Sequence, residues 1–332
     1  MTFPAWLVFL AGLGIIVLGA ELLLRAASRI ALLLGIPPML VGLTIVSVGT
    51  SAPELAVGLT AVNAGKGALA VGNIAGTNII NILLILGLSA LIRPLPLRLV
   101  AIRLDVPVMI AAALALVVMS ADLVITRFEG CLLVAAAVPY TVAVVYLGRR
   151  ESPQAQREFA QEYAVDRAVP PGATPPRRMA VLGWNAGMLV SGMALTVLGA
   201  DWLVAGAADI ARSLGVSDAL IGLTIVAIGT SAPELVTTLV ATFKDDRDVA
   251  VGNLIGSSIY NILAILGLTC ALAPGGTALT PEILRIDLPL AALVAVACYP
   301  VFRSDQMVSR REGAVFVAAY VAYLGSLIFL RT

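Results

Sequence analysis

Two glutamates lie inside apolar segments of this chain, and each one ends an identical stretch of six residues. Glu54 ends the stretch GTSAPE that begins at Gly49, and Glu234 ends the copy that begins at Gly229. The proline in each stretch has no backbone N–H to donate, so it frees the carbonyl four residues earlier. Carboxylate, hydroxyl and carbonyl oxygens are the ligands that hard cations such as Ca²⁺ and Na⁺ prefer. The two stretches therefore predict an all-oxygen cation site.

The spacing within each stretch brings its polar groups together. Thr50 and Ser51 lie four and three residues before Glu54, so all three side chains can share one helix face. The second copy supplies Thr230, Ser231 and Glu234. A carboxylate at the bilayer centre costs about 3 kcal/mol, and two facing carboxylates repel unless a cation or a proton lies between them. In a competing interpretation, the proline only makes a packing kink and the glutamate is protonated and isolated. This interpretation is weakened because the same arrangement occurs at two equivalent positions.

A second polar pattern follows each stretch. Polar residues recur at every fourth position along an otherwise apolar helix. They are Asn73, Thr77 and Asn81 in the first copy, and Asn253, Ser257 and Asn261 in the second. Such a stripe can line an ion site, and asparagines can also join neighbouring helices by hydrogen bonds. The two interpretations are compatible, because close helix packing would bring the stripe to the site.

Both patterns belong to one long internal repeat. Residues 42–88 and 222–268 are identical at 27 of 47 positions, at a constant offset of 180. A polar core that occurs twice in an apolar chain is typical of transporters built from two structural repeats.

The composition predicts an all-α polytopic membrane protein. Hydrophobic residues make up 60% of the chain, charged residues 12%, and the mean hydropathy is +1.01. Stretches of about 20 apolar residues can each span the hydrocarbon layer as a helix. We expect ten such helices, at about 4–24, 38–62, 68–91, 100–120, 129–148, 180–200, 218–243, 249–273, 286–302 and 313–330. The chain has no histidine and no nucleophile–base pattern, which argues against an enzyme, and its net charge of +1 indicates no nucleic-acid partner.

Arginine and lysine predict the orientation in the cell (inner) membrane. With both termini outside, 16 of the 21 basic residues fall on the cytoplasmic side, as the positive-inside rule requires. The polar segment 149–179 is then a cytoplasmic linker between two five-helix halves, 1–148 and 180–332. Because five is an odd number, the second half enters the membrane the opposite way up. The halves are therefore expected to form an inverted repeat, with equivalent residues meeting near mid-membrane.

The repeated GTSAPEL and GN-x-x-G-[ST]-x-x-x-N motifs resemble the alpha repeats of the calcium/cation antiporter superfamily, and most closely those of prokaryotic sodium/calcium exchangers. The resemblance implies antiport of Ca²⁺ and Na⁺ by alternating access, with no prosthetic group and with the lipid bilayer as surroundings. It also implies that the first helix of each half slides across the remaining helices. We expect the protein to function as a monomer.

The resemblance further implies a ligand set. Glu54 and Glu234 would bridge a central Ca²⁺. Backbone oxygens of Thr50 and Thr230 would complete the coordination shell of this ion. Flanking Na⁺ positions would use paired hydroxyls and two carbonyls. The pairs are Ser51 with Ser257 and Ser231 with Thr77, the carbonyls belong to Ser47 and Ala227, and Asn81 with Asn261 would form the middle layer.

Two other functions remain open on these residues. Some relatives carry an aspartate where this chain has Asn261, so the site of this chain has two carboxylates rather than three. Calcium/proton antiporters on the same fold place an acid three residues after the GN pair, where this chain has Gly76 and Gly256. A cation channel is the third possibility, and coupled counter-ion flux would distinguish it from an antiporter.

Overall fold

Helices make up nearly all of the described chain. The computed structural model describes residues 4–34, 40–97, 101–148, 175–216, 221, 225 and 227–331. Most of the predicted linker, residues 149–174, lies outside these ranges. The helices are α1 (Ala5–Leu34), α2 (Val41–Thr50), α3 (Ala52–Asn63), α4 (Gly67–Ile92), α5 (Ala101–Met119), α6 (Arg127–Gly148), α7 (Pro175–Ser213), α8 (Ala227–Thr230), α9 (Ala232–Phe243), α10 (Arg247–Leu272), α11 (Ile283–Ser304) and α12 (Arg310–Arg331).

Several of these helices can cross a membrane. Within the described residues, seven are long and apolar enough: α1, α4, α5, α6, α7, α10 and α11. The bent pair of α2 and α3 makes an eighth. The prediction of a helical, multi-pass membrane protein agrees with these lengths and compositions.

The first helix of each half is longer than its apolar stretch predicts. Helix α1 continues to Leu34, ten residues past the expected end, and α7 runs from Pro175 to Ser213. At 1.5 Å per residue, the 39 residues of α7 extend about 58 Å, well beyond a hydrocarbon layer of about 30 Å. The last predicted linker residues, 175–179, therefore belong to α7.

A break interrupts the helical path at the same place in each half. Helices α2 and α3 meet at Ser51 with a bend of 43°. The backbone of Ser51 has φ −84° and ψ 8°, and that of Ser231, between α8 and α9, has φ −90° and ψ 8°. Pro53 and Pro233 stand at the start of the helices that follow, where a missing N–H is tolerated. The breaks thus follow from the two prolines.

Helices α4 and α10 form the centre of the protein. In their most apolar windows 78% and 83% of the residues are buried, against 22–39% for the other spanning helices. Each also contains a π-helical segment, Ile80–Leu86 in α4 and Asn261–Leu266 in α10. Such segments are rare and occur often at functional sites. Both contain one of the predicted middle-layer asparagines, Asn81 and Asn261.

Two small antiparallel sheets join the two halves. Strand β1 (Leu95–Pro96) pairs with β4 (Met307–Val308), and β2 (Val124–Ile125) pairs with β3 (Thr277–Ala278). In both sheets one strand precedes and one follows the linker.

Helices α1 and α7 pack antiparallel, with glycines at the contact. A Cβ on Gly199 would lie 2.3 Å from the backbone nitrogen of Ile16, and one on Gly12 would lie 2.3 Å from that of Leu203. The glycines at this contact recur every seven residues: Gly12 and Gly19 in α1, and Gly192, Gly199 and Gly206 in α7. Because glycine has no side chain, the two backbones approach closely from Gly192 to Gly206, which is about four turns of α7.

Ion pairs connect the turn between α9 and α10 to other helix ends. Lys244 and Arg25 both pair with Glu21 of α1. Asp245 pairs with Arg93 at 2.9 Å and with Arg247 at 2.6 Å. The hydrogen bond from Arg247, reinforced by Arg93, holds the pKa of Asp245 below its usual value. This turn is thereby attached to α1 and to the end of α4.

The glycine contact predicts a contrast between two substitutions in α7. Gly199→Ala places a methyl group against the backbone of α1, and overpacking of this kind costs about 1–3 kcal/mol. We expect a lower midpoint of thermal unfolding in detergent for this variant. Gly187→Ala is the control, because a Cβ there meets no atom within 4 Å. Equal midpoints for the two variants would contradict the close packing of α1 and α7.

Candidate functional site

The two breaks place Glu54 and Glu234 in equivalent positions. Each glutamate lies in the first turn of the helix after the break, α3 or α9, and each is fully buried. The amino end of a helix carries a partial positive charge and unpaired N–H groups, which favour a negative side chain. The break therefore makes a buried carboxylate less costly and opens the backbone beside it.

Polar side chains from one half reach those of the other at this point. Ser51 Oγ donates a hydrogen bond to Glu234 Oε1 at 3.3 Å. Thr50 Oγ1 donates to Asn253 Oδ1 at 3.4 Å. Ser231 Oγ and Thr77 Oγ1 lie 3.5 Å apart, as the predicted pairing of these two hydroxyls requires. The site is thus assembled across the two repeats.

Several fully buried polar atoms of the site have no hydrogen-bond partner. Both carboxylate oxygens of Glu54 are unpartnered, and so is Oε2 of Glu234. The others are Asn73 Nδ2, Asn81 Oδ1 and Nδ2, Ser257 Oγ and Asn261 Oδ1. A buried polar atom without a partner costs about 1–3 kcal/mol, so a cluster of them indicates a place built for a ligand. Apart from Asn73 Nδ2 and Asn81 Nδ2, these atoms are all oxygens.

The cluster contains two buried carboxyl groups. Glu54 and Glu234 would repel one another if both were ionised. Within the described part of the chain, no lysine or arginine forms an ion pair with either glutamate. Two like charges 4 Å apart repel by about 4 kcal/mol at an effective dielectric constant of 20. A bound cation between the carboxylates would remove this repulsion.

The other predicted residues differ in how they contribute. Thr50, Thr77, Asn253 and Ser257 are buried, whereas Asn73 and Thr230 are only half-buried. Ala227 is the first residue of α8. The carbonyl of Ser47 already accepts from the Ser51 N–H at 3.0 Å, and at 3.3 Å it is an alternative acceptor to Asn253 for the one hydroxyl proton of Thr50. The Ser47 carbonyl would have to exchange one of these bonds to bind an ion.

The structure adds three residues that the motifs do not single out. Asn78 Oδ1 accepts from Asn261 Nδ2 at 3.3 Å, and Asn78 Nδ2 donates to the carbonyl of Ser258 at 3.0 Å. Thr238 Oγ1 accepts from Asn253 Nδ2 at 3.0 Å. Asn78 and Ser258 are themselves equivalent at the offset of 180, a signal that the sequence does contain. These bonds hold the amides of the asparagine stripe in place.

The stripe is not symmetric in its partners. The residue equivalent to Thr238 is Gly58, so Asn73 lacks the hydroxyl acceptor that Asn253 has. The amide nitrogen of Asn73 accordingly has no partner. Asn253 thus joins two helices, as the packing interpretation of the stripe predicts, whereas both polar atoms of Asn81 are buried without a hydrogen-bond partner.

The donor set suits hard cations. In the described residues there is no group of three or more His, Cys, Asp or Glu side chains, the usual pattern of soft-metal and high-charge centres. Two carboxylates with surrounding hydroxyl and amide oxygens match the preferences of Ca²⁺ and Na⁺. Both halves contribute oxygens of this kind.

Comparison with known proteins places both halves in one group. The chain matches the family described as sodium/calcium exchanger protein over residues 4–146 and 184–329. It is 38% identical over 316 residues to CaxA of Alkalimonas amylolytica, and the aligned region covers 95% of each chain. It is 30% identical over 362 residues to the sodium/calcium exchanger MaX1 of Methanosarcina acetivorans, with 98% of this chain and 99% of that protein covered.

A solved structure shows the same fold. The sodium-calcium exchanger NCX_Mj matches with a TM-score of 0.80 and 25% identity. The superposition covers 97% of this chain and 98% of that one, so it includes both repeats.

The unpartnered carboxylates predict that Ca²⁺ stabilises the protein. A ligand at 100 times its dissociation constant stabilises a folded protein by about 2.7 kcal/mol, provided that it does not bind the unfolded chain. We expect added Ca²⁺ to raise the midpoint of thermal unfolding of the detergent-solubilised protein. Glu54→Gln and Glu234→Gln should each lose this shift. Glu129→Gln, a change at the start of α6 outside the site, should keep it. A full shift in either site variant would argue against the assignment.

Proposed function

Because this chain belongs to the sodium/calcium exchanger protein family, we propose that it is a secondary active antiporter that exchanges Ca²⁺ for Na⁺ across the cell membrane. It is a transporter rather than an enzyme, and Ca²⁺ and Na⁺ are its cargo, with no prosthetic group. Its resemblance to the calcium/cation antiporter superfamily is confirmed by the family match.

One observation carries the proposal. Glu54 and Glu234 are both fully buried just after equivalent helix breaks, and three of their four carboxylate oxygens have no partner. One Ca²⁺ would neutralise the pair, with Thr50, Thr230 and the neighbouring hydroxyls completing its shell. Na⁺ ions would bind at the hydroxyl pairs Ser51 with Ser257 and Ser231 with Thr77. The carbonyls of Ser47 and Ala227, and the amides of Asn73, Asn81, Asn253 and Asn261, would provide the remaining contacts.

This charge arrangement explains why transport would be coupled. An empty site leaves two anions in a region of low dielectric constant, and moving that state through the membrane is costly. The site would therefore switch its access from one side of the membrane to the other only when cations occupy it. Such a rule enforces exchange of one kind of cation for another and prevents a leak.

The runner-up is a calcium/proton antiporter on the same fold. Protons could also neutralise Glu54 and Glu234, so the carboxylates alone do not select the coupling ion. Sodium is favoured because hydroxyls from opposite halves meet beside the carboxylates, as at Ser231 and Thr77. Protonation of the carboxylates would not require such a pair of hydroxyl ligands.

We infer an architecture of ten transmembrane helices in two inverted five-helix repeats, 1–148 and 180–332. The broken pairs α2–α3 and α8–α9 each count as one span in this scheme. The antiparallel contact of α1 with α7 and the exact offset of 180 between α4 and α10 support it. Both termini would face outward, the linker 149–179 would be cytoplasmic, and a single chain would contain the complete site.

Calcium uptake into proteoliposomes tests the coupling ion. We expect ⁴⁵Ca²⁺ to enter vesicles that contain Na⁺, and not vesicles that contain choline, because the two cations must move in opposite directions. An imposed pH gradient should have no effect. Uptake driven by the pH gradient in the absence of Na⁺ would instead establish the proton antiporter, and uptake without any counter-ion would indicate a channel.

In the same assay Glu54→Gln and Glu234→Gln should each abolish Na⁺-driven uptake, since a single remaining carboxylate cannot neutralise Ca²⁺. Both variants should still elute as folded protein, because the amide has the size of the carboxyl group and removes a buried charge. Glu129→Gln should transport at the rate of the unmodified protein. Normal uptake by either site variant would refute the glutamate assignment.

Cysteine labelling tests the orientation. In a chain whose three native cysteines are replaced, Lys66→Cys and Asp122→Cys should react in intact cells with a membrane-impermeant maleimide. Asp305→Cys should react only after the membrane is permeabilised. Lys66 and Asp305 are exposed turn residues on opposite sides in the proposed topology. The opposite labelling pattern would reverse the orientation, and uniform labelling would contradict the span count.

A further inference from the structure

A cavity of about 460 Å³ opens between α7 and the two helix breaks. On one side it contacts Pro53 and Pro233, the residues immediately before Glu54 and Glu234, together with Thr230. On the other side it follows the second half of α7, from Val197 to Arg212. Because α7 begins at the cytoplasmic linker, this half of the helix faces outward in the proposed topology. The cavity therefore lies on the outer side of the two breaks, beside the buried glutamates, which do not themselves line it.

Two aspartates of α7 line this cavity, and they differ in their surroundings. Asp209 forms an ion pair with Arg212 at 2.8 Å. Asp201 lies eight residues, about two turns, before Asp209 in α7. It is exposed, lines the cavity, and forms no ion pair with any described residue. Its negative charge is thus available to an ion in the cavity.

The equivalent residue in the first half has the opposite surroundings. Glu21 corresponds to Asp201 at the offset of 180, and both Lys244 and Arg25 pair with it. The positions that correspond to these two basic residues are Ala64 and Ala205. Asp201 therefore lacks both cationic partners because of the sequence, and Ala205 itself lines the cavity.

We propose that Asp201 is a cation-capture residue, which draws Ca²⁺ and Na⁺ from outside into this cavity and toward Glu54 and Glu234. A single charge within low-dielectric walls concentrates counter-ions and raises their rate of association. Glu21 cannot do the same while Lys244 and Arg25 neutralise it. The proposal rests on the proposed function. In it, Asp201 affects how fast cations reach the site and does not bind them once they occupy it.

The test measures how external Ca²⁺ concentration controls the initial rate of uptake. Right-side-out membrane vesicles are loaded with Na⁺, and ⁴⁵Ca²⁺ is added outside. Asp201→Asn should raise the half-saturating Ca²⁺ concentration by about two- to tenfold at low ionic strength, the range expected for loss of one unit charge near the path. The maximal rate should stay within about twofold, because the site itself is unchanged.

Salt and charge provide the readouts that a structural role would not affect. The difference between Asp201→Asn and the unmodified protein should shrink in high choline chloride, since the Debye length falls from about 10 Å at 0.1 M to about 3 Å at 1 M. Asp201→Glu should restore the low half-saturating concentration, and Asp201→Lys should raise it further than Asp201→Asn does. Asp122→Asn is the matched control, because it removes a charge from an exposed turn outside the cavity, and it should change nothing.

Each outcome decides between the two proposals. An unchanged half-saturating concentration in Asp201→Asn, with normal Na⁺-driven uptake, would overturn the capture role and leave the exchanger intact. A lower maximal rate without salt dependence would assign Asp201 a structural role only. Absence of Na⁺-driven uptake in the unmodified protein would overturn the proposed function and the capture role together.

Discussion

The burial of two carboxylates without a basic partner is the constraint on which the rest of this structure depends. Glu54 and Glu234 are fully enclosed, and no described lysine or arginine pairs with them. A lysine that formed an ion pair with these glutamates would neutralise them permanently and would leave no role for a transported cation. The chain instead surrounds them with hydroxyls, amides and helix amino ends, all of which tolerate negative charge without abolishing it.

The repeat makes this arrangement possible because each half completes the surroundings of the other. Ser51 of one half donates to Glu234 of the other, and Thr50 donates to Asn253. The polar side chains around the two glutamates therefore come from both halves. The exception to this symmetry is instructive: Thr238 supports Asn253, whereas Gly58 leaves Asn73 without an acceptor. The two halves are therefore alike in their glutamates but differ in the hydrogen bonding of their asparagines.

Much of this could be predicted from the sequence, because a repeat and a proline carry local information. The breaks lie beside Pro53 and Pro233, and the helices lie close to the apolar stretches. The ends of α1 and α7 were not predictable from hydropathy, since both helices continue beyond the hydrocarbon layer where polar residues are tolerated. Asn78 and Ser258 were missed because their bond joins two helices across the halves, and no periodicity within one helix reveals such a pair. The glycine spacing of seven in α1 and α7 was visible, but its meaning depends on which helix lies opposite.

The two small sheets have a mechanical consequence. Strand β1 is hydrogen-bonded to β4 and strand β2 to β3, so each sheet fastens a connection of the first half to one of the second. These strands adjoin α4, α5, α6, α10, α11 and α12, so backbone hydrogen bonds connect these helices across the two halves. Within the described residues, α1 and α7 have no strand at either end and meet each other through glycines. The pair of α1 and α7 is instead held by its glycine contact and by the ion pair of Glu21 with Lys244, so it is joined to the other helices by side chains and not by strands.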